Sequence, residues 1–431
     1  MPPSVFLPQD IIDTIVDILH DSADLKSLRA CSCAARCFLH PCRKHLFATV
    51  DLSASGSPYK WDPEPTGPGV DVLGERFHAL LVQSPYITQY VRALRAHARN
   101  GREAQWLTHS DELPAVLAEL THLVRLDIGA RVAMRWADCT PALRSAFLSL
   151  LATSPLRTLR LQTVVGLPVS VVEQFGALHA VHLLDVPLAP PAADAPESGG
   201  GSMTRANLRA ISARGSDSVL EFLLRPPGKR AFVDYARFAL LDCQLGHHPR
   251  SYALLAEFLA HARGLSALHC MLSASVDIPL FEAFLTHPRL PHVRRLSFHL
   301  QEPGLLPHVY AFLARLPQAC AVEEVDVLCS LFGAQDQGLS EIMNWNAISL
   351  ALPIRQLRLR FFLEQNHSAR EDQDWAESIF SAQLRPRVRD NLLAMINDGR
   401  AKIFLHVIHY LGMRYFQEEM GRMRDGILQL V

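Results

Sequence analysis

A short strand-like pattern, written LxxLxL, recurs along most of the sequence and restricts what the chain can fold into. Its apolar residues have the spacing of a short strand with one buried face. Successive copies follow mostly at intervals of about 30 residues, close to the length of the longest leucine-rich repeats. The copies begin at Val91, Leu123, Leu156, Leu178, Tyr235, Leu265, Val293, Val322 and Ile354, with a degenerate copy at Leu208-xx-Ile211.

Helical patterns separate the strand-like copies. Apolar residues recur at helical spacing in Arg76–Val82, Ala142–Ala152, Ser251–Ala262, Leu280–Thr286 and Leu305–Leu316. Strand-then-helix at a nearly constant period predicts an α/β solenoid of parallel strands backed by helices. The competing interpretation is a doubly wound α/β enzyme domain. Such a domain usually has a glycine-rich turn after its first strand, and we find none in the sequence.

One residue in each copy is expected to face away from the helices, because side chains alternate along a strand. It stands between the last two apolar positions and would line the inner face of a curved sheet, the usual binding surface of a solenoid. The mixed chemistry of these residues predicts polar recognition of a protein or peptide target; the alternative is a merely solvated face. The predicted target-binding residues are Asp127, Arg160, His182, Ala239, His269, Ser297, Asp326 and Arg358.

The N-terminal segment predicts three short helices. A first helix, Pro8–His20, has apolar residues over an arc of about 160°, wider than the stripe of about 100° that one core requires. Asp24 can cap a second helix, and Pro41 is expected to end the following apolar run and to open a third. Ala48–Leu52 then alternates like a strand. Some of the apolar surface should therefore meet either the body of the chain or a partner.

The same segment resembles an F-box over roughly residues 5–50. The resemblance rests on Leu7-Pro8-Gln9-Asp10-Ile11-Ile12, on Asp24-Leu25-Lys26-Ser27-Leu28, and on the spacing to Cys31-Ser32 and Arg36-Cys37-Phe38-Leu39. Asp10 stands where the family usually has Glu, and Phe38 stands near a usual Trp. The resemblance implies docking onto a Skp-type adaptor of a cullin-RING ubiquitin ligase. The implied adaptor-binding residues are Leu7, Pro8, Ile11, Ile12, Ile15, Leu19, Leu25, Leu28 and Phe38.

The repeating body resembles that of F-box/leucine-rich-repeat proteins, so the expected function is recognition of a protein substrate for ubiquitination, without catalysis by this chain. Two alternatives remain. The N-terminal helices could be a structural cap on a repeat scaffold, with Ile11, Ile12, Ile15 and Leu19 buried against the repeats. The chain could also be an α/β enzyme, with a deep pocket of pKa-perturbed groups at the strand ends.

The predicted organisation has four parts. Residues 5–50 form the F-box-like domain, 51–70 a linker, 71–367 the solenoid and 368–431 a helical C-terminal cap. Ala189–Ser202, with its Pro-Pro and Gly-Gly-Gly runs, reads as an insertion between repeats. The predicted cap helices are Glu371–Leu384, Arg389–Asn397 and Lys402–Gly421.

Composition limits the classes of partner. Lysine and arginine total 42 against 43 acidic residues, so no global charge favours nucleic acid or a membrane surface. The nine cysteines are unevenly spaced and fit free thiols in a reducing compartment. No signal peptide or membrane span is apparent, so we expect a cytosolic or nuclear protein. Phosphate loops, a nucleophile elbow and zinc knuckles are missing, so we predict no cofactor, metal or catalytic residue.

Overall fold

The protein is an α/β structure whose strands are parallel. The computed structural model describes residues 7–53, 68–189, 208–224, 233–273, 275–301, 303–317, 320–330, 355–365 and 401–409. These residues fall into two compact units, divided after residue 178. Unit 1 holds the N-terminal helices and the first strands, and unit 2 holds the remaining strands.

The N-terminal segment of unit 1 contains three helices, α1 (Gln9–Asp21), α2 (Leu25–Ala34) and α3 (Arg36–Leu46). The Asp24 side chain caps α2 as predicted, accepting from the Ser27 N–H at 3.0 Å. The prediction for Pro41 is wrong, because Pro41 lies inside α3 and the break falls at Ala35, which is extended. A proline leaves the carbonyl four residues earlier without its helical donor. Here the Gln9 side-chain amide donates to that carbonyl, on Cys37, at 3.3 Å.

The rest of unit 1 alternates strands with helices. Strands β1 (Thr49–Asp51), β2 (Ala93–Ala98), β3 (Arg125–Arg135) and β4 (Thr158–Val165) pair in that order, all parallel. The intervening helices are α4 (Val70–Gln83), α5 (Gly101–His109), α6 (Glu112–Glu119), α7 (Pro141–Thr153) and α8 (Val169–Val172). A 3-10 turn, Pro85–Tyr90, leads into β2.

Unit 2 repeats the arrangement. Its strands pair in chain order and in parallel: β5 (Ala180–Leu184), β6 (Ala210–Arg214), β7 (Leu240–Leu245), β8 (Ala267–Leu272), β9 (Arg295–Leu300), β10 (Glu324–Ser330), β11 (Gln356–Gln365) and β12 (Ala401–His409). Its helices are α9 (Asp217–Leu224), α10 (Pro249–His261), α11 (Ile278–Leu285) and α12 (Leu306–Ala314). Of the five helices predicted between the strand-like copies, four match the structure to within a few residues at each end, and α4 begins six residues before the predicted start at Arg76.

The central apolar residues of the copies lie side by side across each sheet. Leu94, Leu126 and Leu159 are register partners in unit 1. In unit 2 the equivalent row is Val181, Ile211, Leu241, Leu268, Leu296, Val325 and Leu357. All of them are buried. Full burial of such a side chain contributes about 1.5–3 kcal/mol, so these rows are a main source of cohesion between neighbouring copies.

The register also corrects one copy of the repeat. The degenerate copy is confirmed, since Ile211 lies in β6. The copy assigned to start at Tyr235 is wrong by three residues, because the true copy starts at Phe238. Leu241, and not Phe238, pairs with Ile211. Phe238 is buried just before β7, where its ring packs edge-on against Phe258 at 4.9 Å. An apolar core residue next to a strand imitates the pattern without belonging to the strand.

The C-terminal prediction is wrong where the structure describes it. A helix was expected over Lys402–Gly421, but Ala401–His409 is a strand, β12, parallel to β11. Ile403, Val407 and Ile408 are β-branched and favour a strand once a neighbouring edge offers hydrogen bonds. The other two predicted cap helices lie outside the described residues. In the described part of the chain, no helix has the length and apolarity needed to cross a membrane.

Candidate interaction surfaces

Five large apolar side chains are exposed on the N-terminal helical segment. They are Leu7 (49% exposed), Ile11 (44%), Ile15 (37%), Ile18 (61%) and Leu25 (49%), and we call them the N-terminal apolar patch. Leu7 precedes α1, Leu25 begins α2, and the isoleucines lie on α1 between them. Exposed side chains of this size on neighbouring turns of one helix are characteristic of a docking surface.

Helix α1 carries two adjacent apolar stripes, which accounts for its wide apolar arc. The outer stripe, in the patch, consists of Ile11, Ile15 and Ile18. The inner stripe consists of Ile12, Val16 and Leu19, and it faces the other two helices. At 100° per residue each stripe spans about 60°, so one helix serves two surfaces.

The inner stripe belongs to a small core of the segment itself. Val16, Leu28 and Cys42, one from each helix, are fully buried together, and Leu19 and Phe38 are partly buried against them. Ile12 is also buried, at 3% exposure. Of the predicted adaptor-binding residues, Ile12 and Leu28 therefore hold the helices together and do not reach the surface. Pro8 is exposed at the start of α1.

The helical segment meets the rest of unit 1 through α3. His40 Nδ1 lies 2.8 Å from the hydroxyl of Tyr90, and the Arg43 guanidinium lies over the ring of Tyr86 at 4.7 Å. Both tyrosines belong to the 3-10 turn that precedes β2. Because this attachment uses α3, the outer stripe of α1 stays free of the sheet.

In unit 1, charged side chains alternate along the sheet face opposite the apolar row. Arg95, Asp127 and Arg160 are register partners. His97 donates from Nε2 to Asp127 Oδ1 at 2.7 Å, and Arg160 Nη1 lies 3.6 Å from the other carboxylate oxygen. Burial raises the pKa of Asp127, but the positive charges of Arg160, His97 and Arg125 outweigh it, so the pKa stays well below its usual range. Asp127 is therefore an ionised centre that orients the cations around it.

A second buried cluster lies on the same face in unit 2. Asp242 is 1% exposed. Its carboxylate accepts from Ser212 Oγ at 2.6 Å, from Arg214 Nε at 3.1 Å and Nη2 at 3.0 Å, and lies 3.0 Å from His269 Nδ1. Burial alone would raise the pKa of Asp242, but Arg214 and His269 hold it far below its usual range.

His299 adjoins this cluster and stays neutral. Burial, reinforced by the charges of Arg214 and His269, lowers the pKa of His299 well below its usual value. The Arg214 guanidinium also donates from Nη1 to the sulfur of Met271 at 3.5 Å. The cluster thus bridges β6, β7, β8 and β9 across the sheet face.

The predicted target-binding residues are mostly less accessible than expected. Asp127, Arg160, His182, His269 and Ser297 are all more than nine-tenths buried. Asp326 on β10 and Arg358 on β11 are only partly buried. Parallel strands lie about 4.8 Å apart, so long polar side chains on adjacent strands cover each other. The row thus holds strands together at its centre and meets solvent at β10 and β11.

Sequence reasoning missed Ser212, Arg214 and Asp242, which form the centre of the unit 2 cluster with His269. Ser212 and Arg214 follow the degenerate copy, whose outward position was not assigned. Because the next copy was assigned to start at Tyr235, Ala239 was predicted to face outward at the position that Asp242 occupies. Phe238-xx-Leu241-x-Cys243 fits the same pattern and would have put Asp242 in the outward position.

In the described ranges, no group of three or more histidine, cysteine, aspartate or glutamate side chains could hold a metal ion. Cys31, Cys33 and Cys37 on the N-terminal helices are free thiols, as is Cys42 in their core. Asp127 and Asp242 each fix the orientation of one imidazole, an arrangement that serves structure as well as chemistry.

Comparison with known proteins adds no relative. The sequence matches no protein-family model, and no curated protein matches it. The fold and the surfaces described above therefore carry the functional argument.

Proposed function

We propose that the chain is a substrate-recognition adaptor of a cullin-RING ubiquitin ligase. In this proposal α1 to α3 form an F-box that docks onto a Skp-type adaptor, and the parallel sheets form a leucine-rich-repeat-type solenoid that holds a target protein. The observation that carries the proposal is the N-terminal apolar patch, whose isoleucines 11, 15 and 18 are between 37% and 61% exposed.

The exposure of the outer stripe favours docking over the structural-cap alternative. A cap would bury Ile11 and Ile15 against the chain's own repeats, and both are exposed. Fully burying one such side chain is worth about 1.5–3 kcal/mol, so covering the half-exposed side chains of the patch supplies roughly 4–7 kcal/mol before the costs of association. That gain is of the size that a specific interface needs from its apolar centre.

Strand order within each unit favours a solenoid. In both units every strand pairs with its neighbours in the sequence, and the order never reverses. A doubly wound domain has a switch point where the order does reverse, and ligands bind there. Sequential parallel strands, with helices between them, are instead the arrangement of stacked repeats.

The partly exposed part of the polar row, on β10 and β11, is the best candidate for target contact. Asp326 and Arg358 are neighbours on β10 and β11 and are partly exposed. Arg295 and Glu324, one row away, form an ion pair at 3.6 Å with both side chains 41% exposed. Charged groups at this exposure add more to specificity and association rate than to affinity.

A binding experiment with the full chain tests the proposal. Purified Skp-type adaptor should co-purify with the wild-type chain and should be lost from the double variant Ile11→Asp/Ile15→Asp. Val82→Asp is the matched control, since Val82 is 71% exposed on α4, outside the patch. Equal adaptor binding by the double variant, with its helices intact by circular dichroism, would remove the basis of the proposal.

A further inference from the structure

A cavity of about 310 Å³ lies in unit 1 where α3 meets the 3-10 turn before β2. Its lining includes Lys44 and His45 from the last turn of α3, and Gln89, Tyr90 and Arg92 from the turn and its exit. None of the described residues that line it is acidic. The cavity is distinct from the N-terminal apolar patch and from both buried polar clusters.

The cationic groups at this cavity have free donor capacity. Lys44 has no ion-pair partner among the described residues. One guanidinium nitrogen of Arg92 donates to the His122 carbonyl at 3.2 Å, which leaves the other donors available. His40 uses Nδ1 toward the Tyr90 hydroxyl at 2.8 Å, so its Nε2 remains.

Among the contacts described, the only carboxylate paired with a residue of the cavity lining is that of Asp17, which pairs with the His45 ring. Asp17 Oδ1 is 2.7 Å from His45 Nε2, and the Asp17 side chain is 59% exposed. This contact leaves the Nδ1 atom of His45 unused. The acidic group therefore orients the ring and does not neutralise Lys44 or Arg92.

The helix dipole accounts for some of the basic residues that line the cavity, but not for all of them. Basic residues in the last turn of a helix offset the negative end of its dipole, and that explains Lys44 and His45. It does not explain why Arg92 and Gln89, from a separate segment, line the same cavity. Lysine and arginine donors converging from two elements on a space without carboxylates match the chemistry of an oxyanion ligand.

We propose that this cavity is an oxyanion-binding site for a phosphate or carboxylate group. The bound anion would accept from Lys44 Nζ on one side and from the Arg92 guanidinium on the other. It would thereby bridge α3 to the entrance of β2, next to the His40–Tyr90 contact. Ligand binding at this site stabilises the attachment of the N-terminal helices to the sheet of unit 1.

Titration of the full chain with inorganic phosphate, at constant ionic strength, tests this site. Saturable binding by calorimetry is expected, with a rise in the thermal midpoint, because a ligand at ten times its Kd lowers the unfolding constant about 11-fold. Lys44→Ala and Arg92→Ala should each weaken binding about ten-fold or more, since each removes a charge-assisted contact. Lys26→Ala and Arg29→Ala, both exposed on α2, are the matched controls and should bind as wild type.

A parallel titration with acetate separates the two sources of the ligand. Saturable binding of phosphate alone identifies a phosphate group, and binding of both anions identifies a general oxyanion site. Absence of saturable binding by either anion would overturn the proposal. Binding unchanged in the folded Lys44→Ala chain would overturn it equally, because this exposed residue has no other described partner to confuse the result.

Discussion

The Asp242 cluster makes the most quantitative prediction about stability. Asp242→Ala removes the carboxylate that binds Ser212, Arg214 and His269, and leaves the Arg214 guanidinium, 9% exposed, without a counter-charge. Removing one partner of a buried ion pair costs about 3–5 kcal/mol. Native-state hydrogen exchange should therefore speed up roughly 140- to 3700-fold in the amides of β6, β7 and β8, at ten-fold per 1.4 kcal/mol.

A second variant distinguishes the lone charge from simple loss of packing. Asp242→Ala/Arg214→Met removes both charges and keeps an unbranched apolar side chain where the guanidinium stem lay. If the uncompensated cation is the cause, the double variant should regain about 2 kcal/mol or more over the single one. The reasoning would be refuted if the single variant exchanged within about three-fold of wild type, or if the double variant exchanged faster than the single one.

Three further predictions follow from individual contacts. Gly74→Ala places a methyl group 2.1 Å from the Trp106 ring and should lower stability by about 1–3 kcal/mol, whereas Gly101→Ala, with nothing within 4 Å, should not; thermal midpoints compare them. Because the pKa of Asp127 is lower in the folded than in the unfolded chain, its ionised carboxylate stabilises the fold at a pH above the unfolded-state pKa, near 4. That stabilisation is lost as the pH falls toward the folded-state pKa, so acid titration of unfolding should show stability decreasing below about pH 5. Leu28→Ala, in the core of the N-terminal helices, should cost about 2–5 kcal/mol and open that segment to limited proteolysis; wild-type resistance in this variant would contradict the core assignment.

Much of the architecture is readable from the sequence because the strands are short and repeated. Leu126 and Leu159 stand at equivalent positions of two copies, and register confirms that they are neighbours. Recurrence compensates for a motif that is weak in any single copy. The pattern points to the wrong residues where an apolar residue outside a strand completes it, as Phe238 does.

The burial of the side chains on each face of a strand or helix is harder to predict from the sequence than the strand or helix itself. The alternation of β3 correctly separates Asp127 from Leu126, but it does not reveal that Asp127 is buried. That burial depends on His97 and Arg160, which lie on adjacent strands and about 30 residues away in the sequence. The width of the apolar arc on α1, in contrast, is a local property, and it correctly indicates two surfaces on one helix.

Residues 401–409 illustrate a choice that local pattern cannot make. Ile403, Val407 and Ile408 have helical spacing and β-branched side chains at once. The edge of β11 decides between them, because it offers a parallel ladder from Leu357 to Gln365. Long-range pairing of this kind overrides local periodicity.

The central claim is that the outer stripe of α1 is a docking surface, and isoleucine methyl NMR tests it most directly. The full chain, labelled at its isoleucine δ1-methyl groups, would be titrated with unlabelled Skp-type adaptor. The methyl signals of Ile11, Ile15 and Ile18 should shift or broaden in a saturable way, while that of Ile278, 41% exposed on α11, should stay unchanged. Unchanged signals from all three outer-stripe methyl groups at saturating adaptor would contradict the account.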